Sequence, residues 1–363
     1  MHSSANFPVA MDTSALVPSL NKGPPSRNMM SLYNTSGGGG GSRKDVVRSG
    51  GVAPARTSSL LSPIMALSGH EGEILTTKFH PGGQYLCSGS FDRLIYLWNV
   101  YGECSNFAVL KGHTGPVVQL TFSTDGLNMF TASTDKTGAV WDIETGERVK
   151  RLKGHSSFVN SVDSSRKGDQ LVCTGSDDGT IRVFDLRRKD PVKNFNNTYQ
   201  VTSVCLSEGV DQVFSGGIEN EIKVWDLRRD QCVNSLKGHT DTVTSLSLSP
   251  DGCYLLSNSM DNTLRIFDVR PFAPIERCVK VLLGAQHNFE KNLIKAHWHK
   301  SGTRVACGSA DKFVYVWDTI TRRIMYKLPG HNGSVNEVDF HPTEPIIASG
   351  SSDKVIYLGE LNL

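Results

Sequence analysis

Long apolar runs are missing from this chain. No window reaches eighteen consecutive apolar residues, so a membrane-spanning helix is not expected. The N-terminus lacks a basic segment followed by an apolar one, which argues against a secretory leader. The eight cysteines (Cys87, Cys104, Cys173, Cys205, Cys232, Cys253, Cys278 and Cys307) lie far apart and form no C-x-x-C pair. They read as reduced core thiols, which points to cytosol or nucleus. A surplus of one charge is also lacking: the formal net charge is +2, whereas an electrostatic grip on nucleic acid needs many clustered Lys and Arg. Catalytic signatures are equally scarce, with no P-loop, no H-E-x-x-H and no G-x-S-x-G. The expectation is a soluble, intracellular protein without catalytic motif, cofactor or small-molecule substrate.

What is present begins with a biased leader. Residues 1–59 are rich in Ser, Gly, Asn and Pro, include five consecutive glycines at 37–41, and hold only Phe7 and Tyr33 as aromatics. Such a composition cannot bury enough apolar surface to order a chain, so a disordered tail is expected. It carries Lys22, Arg27, Arg43, Lys44, Arg48 and Arg56 against Asp12 and Asp45. That surplus leaves open a weak contact with RNA or an acidic partner, beside the plainer reading of a solvated leader.

From Leu60 to the end, the sequence repeats. The dipeptides Trp98-Asn99, Trp141-Asp142, Phe184-Asp185, Trp225-Asp226, Phe267-Asp268, Trp317-Asp318 and Gly359-Glu360 recur at spacings of 43, 43, 41, 42, 50 and 42 residues. A Gly-His marks most units upstream, at His70, His113, His155, His239 and His331, each 22 or 23 residues before an acid: Asp92, Asp135, Asp178, Asp261 and Asp353. In the sixth unit His287 stands 24 residues before Asp311. The fourth departs, with Asn196-Asn197 at the Gly-His place and Glu219 for the acid. Runs such as Leu94-Ile95-Tyr96-Leu97-Trp98 read as short strands, and Pro81-Gly82-Gly83 and Pro250-Asp251-Gly252 as turns.

A unit of this length with G-H near its start and W-D at its end resembles the WD repeat, four strands per blade. The resemblance implies an all-β, seven-bladed β-propeller over residues 60–363. The last unit stops too soon to supply its own outermost strand, so the apolar segment Leu61 to Leu67 is expected to pair with the last blade and close the ring. The resemblance further implies a hydrogen-bond chain of His, hydroxyl, Asp and Trp inside each blade. Carried over, it gives His70, Ser88, Asp92 and Trp98, then His113, Thr131, Asp135 and Trp141. Partial sets follow in His155, Thr174 and Asp178; in His239, Ser257 and Asp261; in His287, Asp311 and Trp317; and in His331, Ser349 and Asp353. Phe184, Phe267, Cys307 and Gly359 break the pattern, as does the fourth unit, which has lost both His and Asp, and these departures predict weaker blades. The same residue types make catalytic triads, but sevenfold repetition weighs for structure over catalysis. His297 and His299, two apart on a strand, face one way and could begin a metal site, yet no third ligand accompanies them, and an exposed strand pair is the expectation.

Side chains in the turn before each acid are expected at one flat face: Phe91, Thr134, Asp177, Ile218, Met260, Ala310 and Ser352. With Phe158, Tyr199 and Phe289, the residues Phe91 and Met260 make a candidate partner-binding face; packing between blades is the alternative for each alone. Asp185-Leu186-Arg187, Asp226-Leu227-Arg228 and Asp268-Val269-Arg270 resemble the W-D-x-R box that docks some WD-repeat proteins to cullin ubiquitin-ligase adaptors.

Finer likeness lies in Phe91–Gly102, Thr145–Leu152, Val269–Pro274, His287–Leu293 and Thr321–His331. These stretches resemble the WD-repeat subunits of the spliceosomal U5 small nuclear ribonucleoprotein, over nearly all of residues 60–363 but not the tail. The likeness implies a nuclear scaffold of pre-mRNA splicing, a monomer within a larger complex. It implies binding to spliceosomal proteins, chiefly the particle's large core protein, with RNA contact indirect or weak.

Overall fold

The computed structural model describes residues 58–168 and 170–361. The expected tail, except for Ser58 and Ser59, lies outside the described residues. These two N–H groups donate to the carboxylates of Glu360 (2.9 Å) and Glu344 (2.7 Å).

The described residues form seven four-stranded antiparallel sheets. The first blade is typical: β2 (Ile74–Phe79), β3 (Tyr85–Ser90), β4 (Ile95–Asn99) and β5 (Asn106–Leu110) pair in chain order. Alternation fails in β3, where Leu86 to Ser90 are all buried, because both faces of a blade pack on neighbouring blades. Outer β5 is mostly exposed, although four of its five residues are apolar. Close stacking demands small residues at the contact. A Cβ on Gly89 would lie 2.7 Å from Val117 of the second blade, and one on Gly350 would lie 2.6 Å from Thr77 of the first. Innermost strands are stitched around the ring as well: Thr76, Ser161, Ser203 and Ser245 each accept the N–H of a residue in the next innermost strand, at 2.8–3.2 Å.

Closure occurs where the sequence leaves an edge unfilled. Strand β1 (Ile64–Ser68) pairs antiparallel with the third strand of the last blade, residues 355–360, from Ile64 opposite Gly359 to Ser68 opposite Val355. The strand starts three residues later than the expected segment, and Leu67 inserts into a core shared by Ile74, Leu86, Trp98, Ile356 and Leu358. The first and last parts of the propeller are thus one packed unit.

Candidate protein-docking face and the polar sets beneath it

Each blade presents two connections at one end of the ring, all short except the loop that enters the sixth blade. The backbone N–H of Phe91 donates to Glu73, and the equivalent N–H groups of Thr134, Asp177, Ile218, Met260, Ala310 and Ser352 donate to Pro116, Phe158, Gln200, Thr242, Gln286 and Ser334. These bonds tie the turn between second and third strands to the loop that enters the same blade. The polar sets lie just beneath. His70 is hydrogen-bonded to Asp92 (2.8 Å) and Ser88 (2.7 Å), and the Trp98 indole donates to Ser88 (2.9 Å). His113, Asp135, Thr131 and Trp141 repeat the arrangement. His155 joins Asp178 and Thr174, His239 joins Asp261 and Ser257, and His331 joins Asp353 and Ser349, with imidazole bonds of 2.7–3.0 Å.

Electrostatics follow from burial. Desolvation lowers the pKa of His70, His155 and His331, and the partner aspartate only partly restores it. Burial raises Asp178, but hydrogen bonds from Thr180 and from the N–H of Ser156 outweigh it and hold the carboxyl at about 2. The hydroxyls of Ser88, Thr131, Thr174 and Ser257 sit in residues with no exposed surface, so no substrate atom can reach a nucleophile there.

Two blades depart. His287 does not meet Asp311. The Gly-His position of the sixth blade is filled by Gly284-Ala285, with Gly284 at φ +137° like Gly154 before His155, and His287 lies two residues farther on, in an enlarged loop. Its Nε2 is bonded to Asn258 of the fifth blade (3.2 Å), while Nδ1 is buried without a partner. In its stead the Tyr315 hydroxyl donates to Asp311 (2.6 Å), its ring stacks on Trp317, and the Trp317 indole donates to the Leu283 carbonyl (3.1 Å). The fourth blade, expected to be weak, substitutes a charged set: Lys223 reaches Glu219 (2.5 Å) and Asn197 (2.6 Å), and Trp225 keeps its bond to Ser215 (2.8 Å).

Among the expected face residues, Phe91, Phe158, Tyr199 and Phe289 are exposed and Met260 is half-buried. Phe158, Tyr199, Met260 and Phe289, joined by exposed Ile218, occupy consecutive blades three to six. Phe91 stands apart in the first blade, separated by the polar Thr134 turn of the second, so the five do not form one continuous patch.

The axis of the ring holds a cluster that the sequence reading missed. His297 is not an exposed strand residue. It is bonded through Nε2 to Glu337 (2.7 Å) and through Nδ1 to Lys78 (3.0 Å), whereas His299 packs edge-on against Phe340. Lys295, buried, donates to Glu337 (3.3 Å) and to the carbonyls of Leu75 (3.3 Å) and Val118 (2.6 Å). Burial raises Glu337, but the Lys295 charge and the His297 hydrogen bond prevail and hold it at about 2. At the opposite end of the ring, the Arg187 guanidinium is engaged by Asp185 (2.9 Å) and that of Arg270 by Asp268 (2.5 Å).

Comparison with known proteins matches seven stretches of the chain to the WD domain, G-beta repeat family: residues 61–99, 104–142, 146–185, 189–226, 230–268, 277–318 and 322–358. The chain is 58% identical over 347 residues to the U5 small nuclear ribonucleoprotein 40 kDa protein of Homo sapiens, covering 95% of this chain and 97% of that one. It is 50% identical to the Dictyostelium discoideum protein of the same name, over 87% and 91% of the two chains. It is also 46% identical to pre-mRNA-splicing factor cwf17 of Schizosaccharomyces pombe, over 85% and 90%.

Proposed function

Because the chain belongs to the WD-domain, G-beta-repeat family and, within it, to the family of U5 small nuclear ribonucleoprotein 40 kDa proteins, we propose that it is a non-catalytic scaffold of pre-mRNA splicing. The observation that carries this reading is near-full-length identity to relatives named for the U5 particle and for splicing. Nuclear location goes with that assignment. So does docking, as a single copy, on the particle's large core protein, through the aromatic arc of Phe158, Tyr199, Met260 and Phe289. A near-neutral net charge of +2 favours protein partners over a direct grip on RNA. Inaccessible hydroxyls in the His–Asp sets support a structural role for them.

The alternative, a cullin-ligase substrate receptor, finds less support because the guanidiniums of Arg187 and Arg270 are engaged by their own aspartates. Affinity capture of the tagged full-length chain from nuclear extract tests the assignment, with RNA and proteins identified together. U5 RNA and splicing proteins are expected, and Phe158→Glu with Tyr199→Glu is expected to release the core protein. A capture that brings down a cullin adaptor, lost on Arg187→Ala or Arg228→Ala, and no U5 RNA would overturn the splicing reading.

A further inference from the structure

Among the described residues, the most exposed large apolar side chains lie at the end of the ring opposite the aromatic arc. In the fifth blade, the connection between the strands Thr263–Asp268 and Cys278–Leu283 has nine residues, against four to six at the same place in the other blades with a connected fourth strand. Phe272 and Ile275 on this loop are 100% and 102% exposed. The loop is nonetheless braced at its neck. The Asp268 N–H donates to the Arg277 carbonyl (2.8 Å), the Arg277 guanidinium donates to the Arg270 carbonyl (2.8 Å), and Ala273 N–H closes a turn on the same carbonyl (3.2 Å). Arg270, bonded to Asp268, lies over the Tyr254 ring at 5.6 Å. Pro271 and Pro274 restrict the backbone between them. An ordered loop that holds a phenylalanine and an isoleucine wholly in water gains nothing for the fold.

Beside this loop runs a groove of about 490 Å³ between blades five and six, lined in part by Tyr254, Val279, Trp298 and Ile320. Val279 and Ile320 are exposed. Its charge is predominantly positive. Lys280 and Lys300 line it, and Arg322 and Arg323 are exposed in the turn that carries Ile320. Lys280 donates to the Thr319 carbonyl (2.6 Å), and none of the four forms an ion pair among the described residues. Of the carboxylates, Asp251 lines the groove and is engaged by the Ser249 hydroxyl and the Cys253 N–H, Asp318 is engaged by the N–H of Ile320 and the hydroxyl of Thr321, and Glu276 is exposed on the loop beside Arg277, so the surface keeps an excess of cations. We propose that the loop 270–277 and this groove form a second docking surface, whose occupant is a segment of a partner protein that intersperses apolar residues with Asp and Glu. The apolar side chains cover Phe272, Ile275 and the groove floor, and the carboxylates meet Lys280, Lys300, Arg322 and Arg323. The surface is distinct from the arc at the other end, so the chain bridges two partners.

The test places benzoyl-phenylalanine at position 272 of the full-length chain, irradiates it in nuclear extract, and sequences the attached peptide, with U5 RNA read in the same capture. The expected product is a single acidic, apolar-bearing segment, whose yield falls at least tenfold when Lys300→Glu and Arg323→Glu are introduced. An unchanged melting temperature in that variant shows that the fold is intact; should it fall, the same yield is read with wild-type lysines and arginines in 0.5 M salt, where a tenfold loss is again expected. Attachment to RNA, to a basic or uncharged segment, to a second copy of this chain, or to nothing overturns the proposal, as does a yield indifferent to both charge and salt. Absence of U5 RNA with the crosslink intact would instead overturn the splicing assignment and leave this surface standing.

Discussion

A histidine held neutral by burial makes stability depend on pH, and the direction follows from where the proton goes. His287 is pushed down to about 4 by desolvation, against raising contributions from Asp261 and Asp241. Its folded pKa lies below its ordinary value near 6.5, so the unfolded chain binds the extra proton between these values. The stabilisation is therefore whole above pH 6.5 and is lost as pH falls toward 4, by about 3 kcal/mol at most. Desolvation lowers His70, His155 and His331 too, and adds loss in the same direction. The aspartates respond later. Asp178, at about 2, keeps its contribution above its ordinary carboxyl value and loses it as pH falls through 2. Thermal melting followed by circular dichroism is expected to be flat from pH 8 to 7 and to fall steadily from 6.5 to 4. His287→Asn should make that descent shallower without steepening it elsewhere. An unchanged slope would mean that the imidazole is not buried as a neutral group.

At the scale of the element, the seven blades were legible because their signals are local. W-D dipeptides, turn residues and strand runs recur within some forty residues, and the missing last strand announced the closing role of β1. The sixth blade was misread for a reason of the same kind. His287 stands at nearly the expected distance from Asp311, but the chain reaches the inner position at Gly284-Ala285, and the count absorbed an insertion that only the backbone reveals. Tyr315, one of many aromatic strand residues in the sequence, gave no sign that its hydroxyl would replace the imidazole. Strand β1 carries the sharpest element-level consequence. Removal of residues 1–68 uncovers the backbone edge of residues 355–360 and takes Leu67 from the shared core. The truncated chain is expected to melt at least 10 °C lower and to elute as oligomers or aggregate in size-exclusion chromatography with light scattering. A monomer of unchanged stability would show that the ring closes without this strand.

The axial cluster belongs to the whole molecule and could not be read in advance, since Lys295, Glu337 and Lys78 become neighbours only when first and last blades meet. Lys295 stands in the sixth blade, yet its ammonium donates to carbonyls of the first and second blades and to Glu337 of the seventh. It ties together four of the seven blades as a crossbar. Two buried charges cost much desolvation, and their attraction offsets this only while both are present. Lys295→Met leaves Glu337 charged in a site with no exposed surface and should cost about 3–5 kcal/mol, roughly 10 °C in melting temperature. Glu337→Gln alone removes the partner of both Lys295 and His297 but preserves an acceptor for the Thr77 N–H, so its loss should be comparable. Joining the two substitutions removes both charges at once, and the double variant is expected to be more stable than either single one. Denaturant unfolding of the four chains gives that coupling directly. If the losses simply add, the ring is held by blade packing alone, and the crossbar is a passenger in a structure already closed by β1.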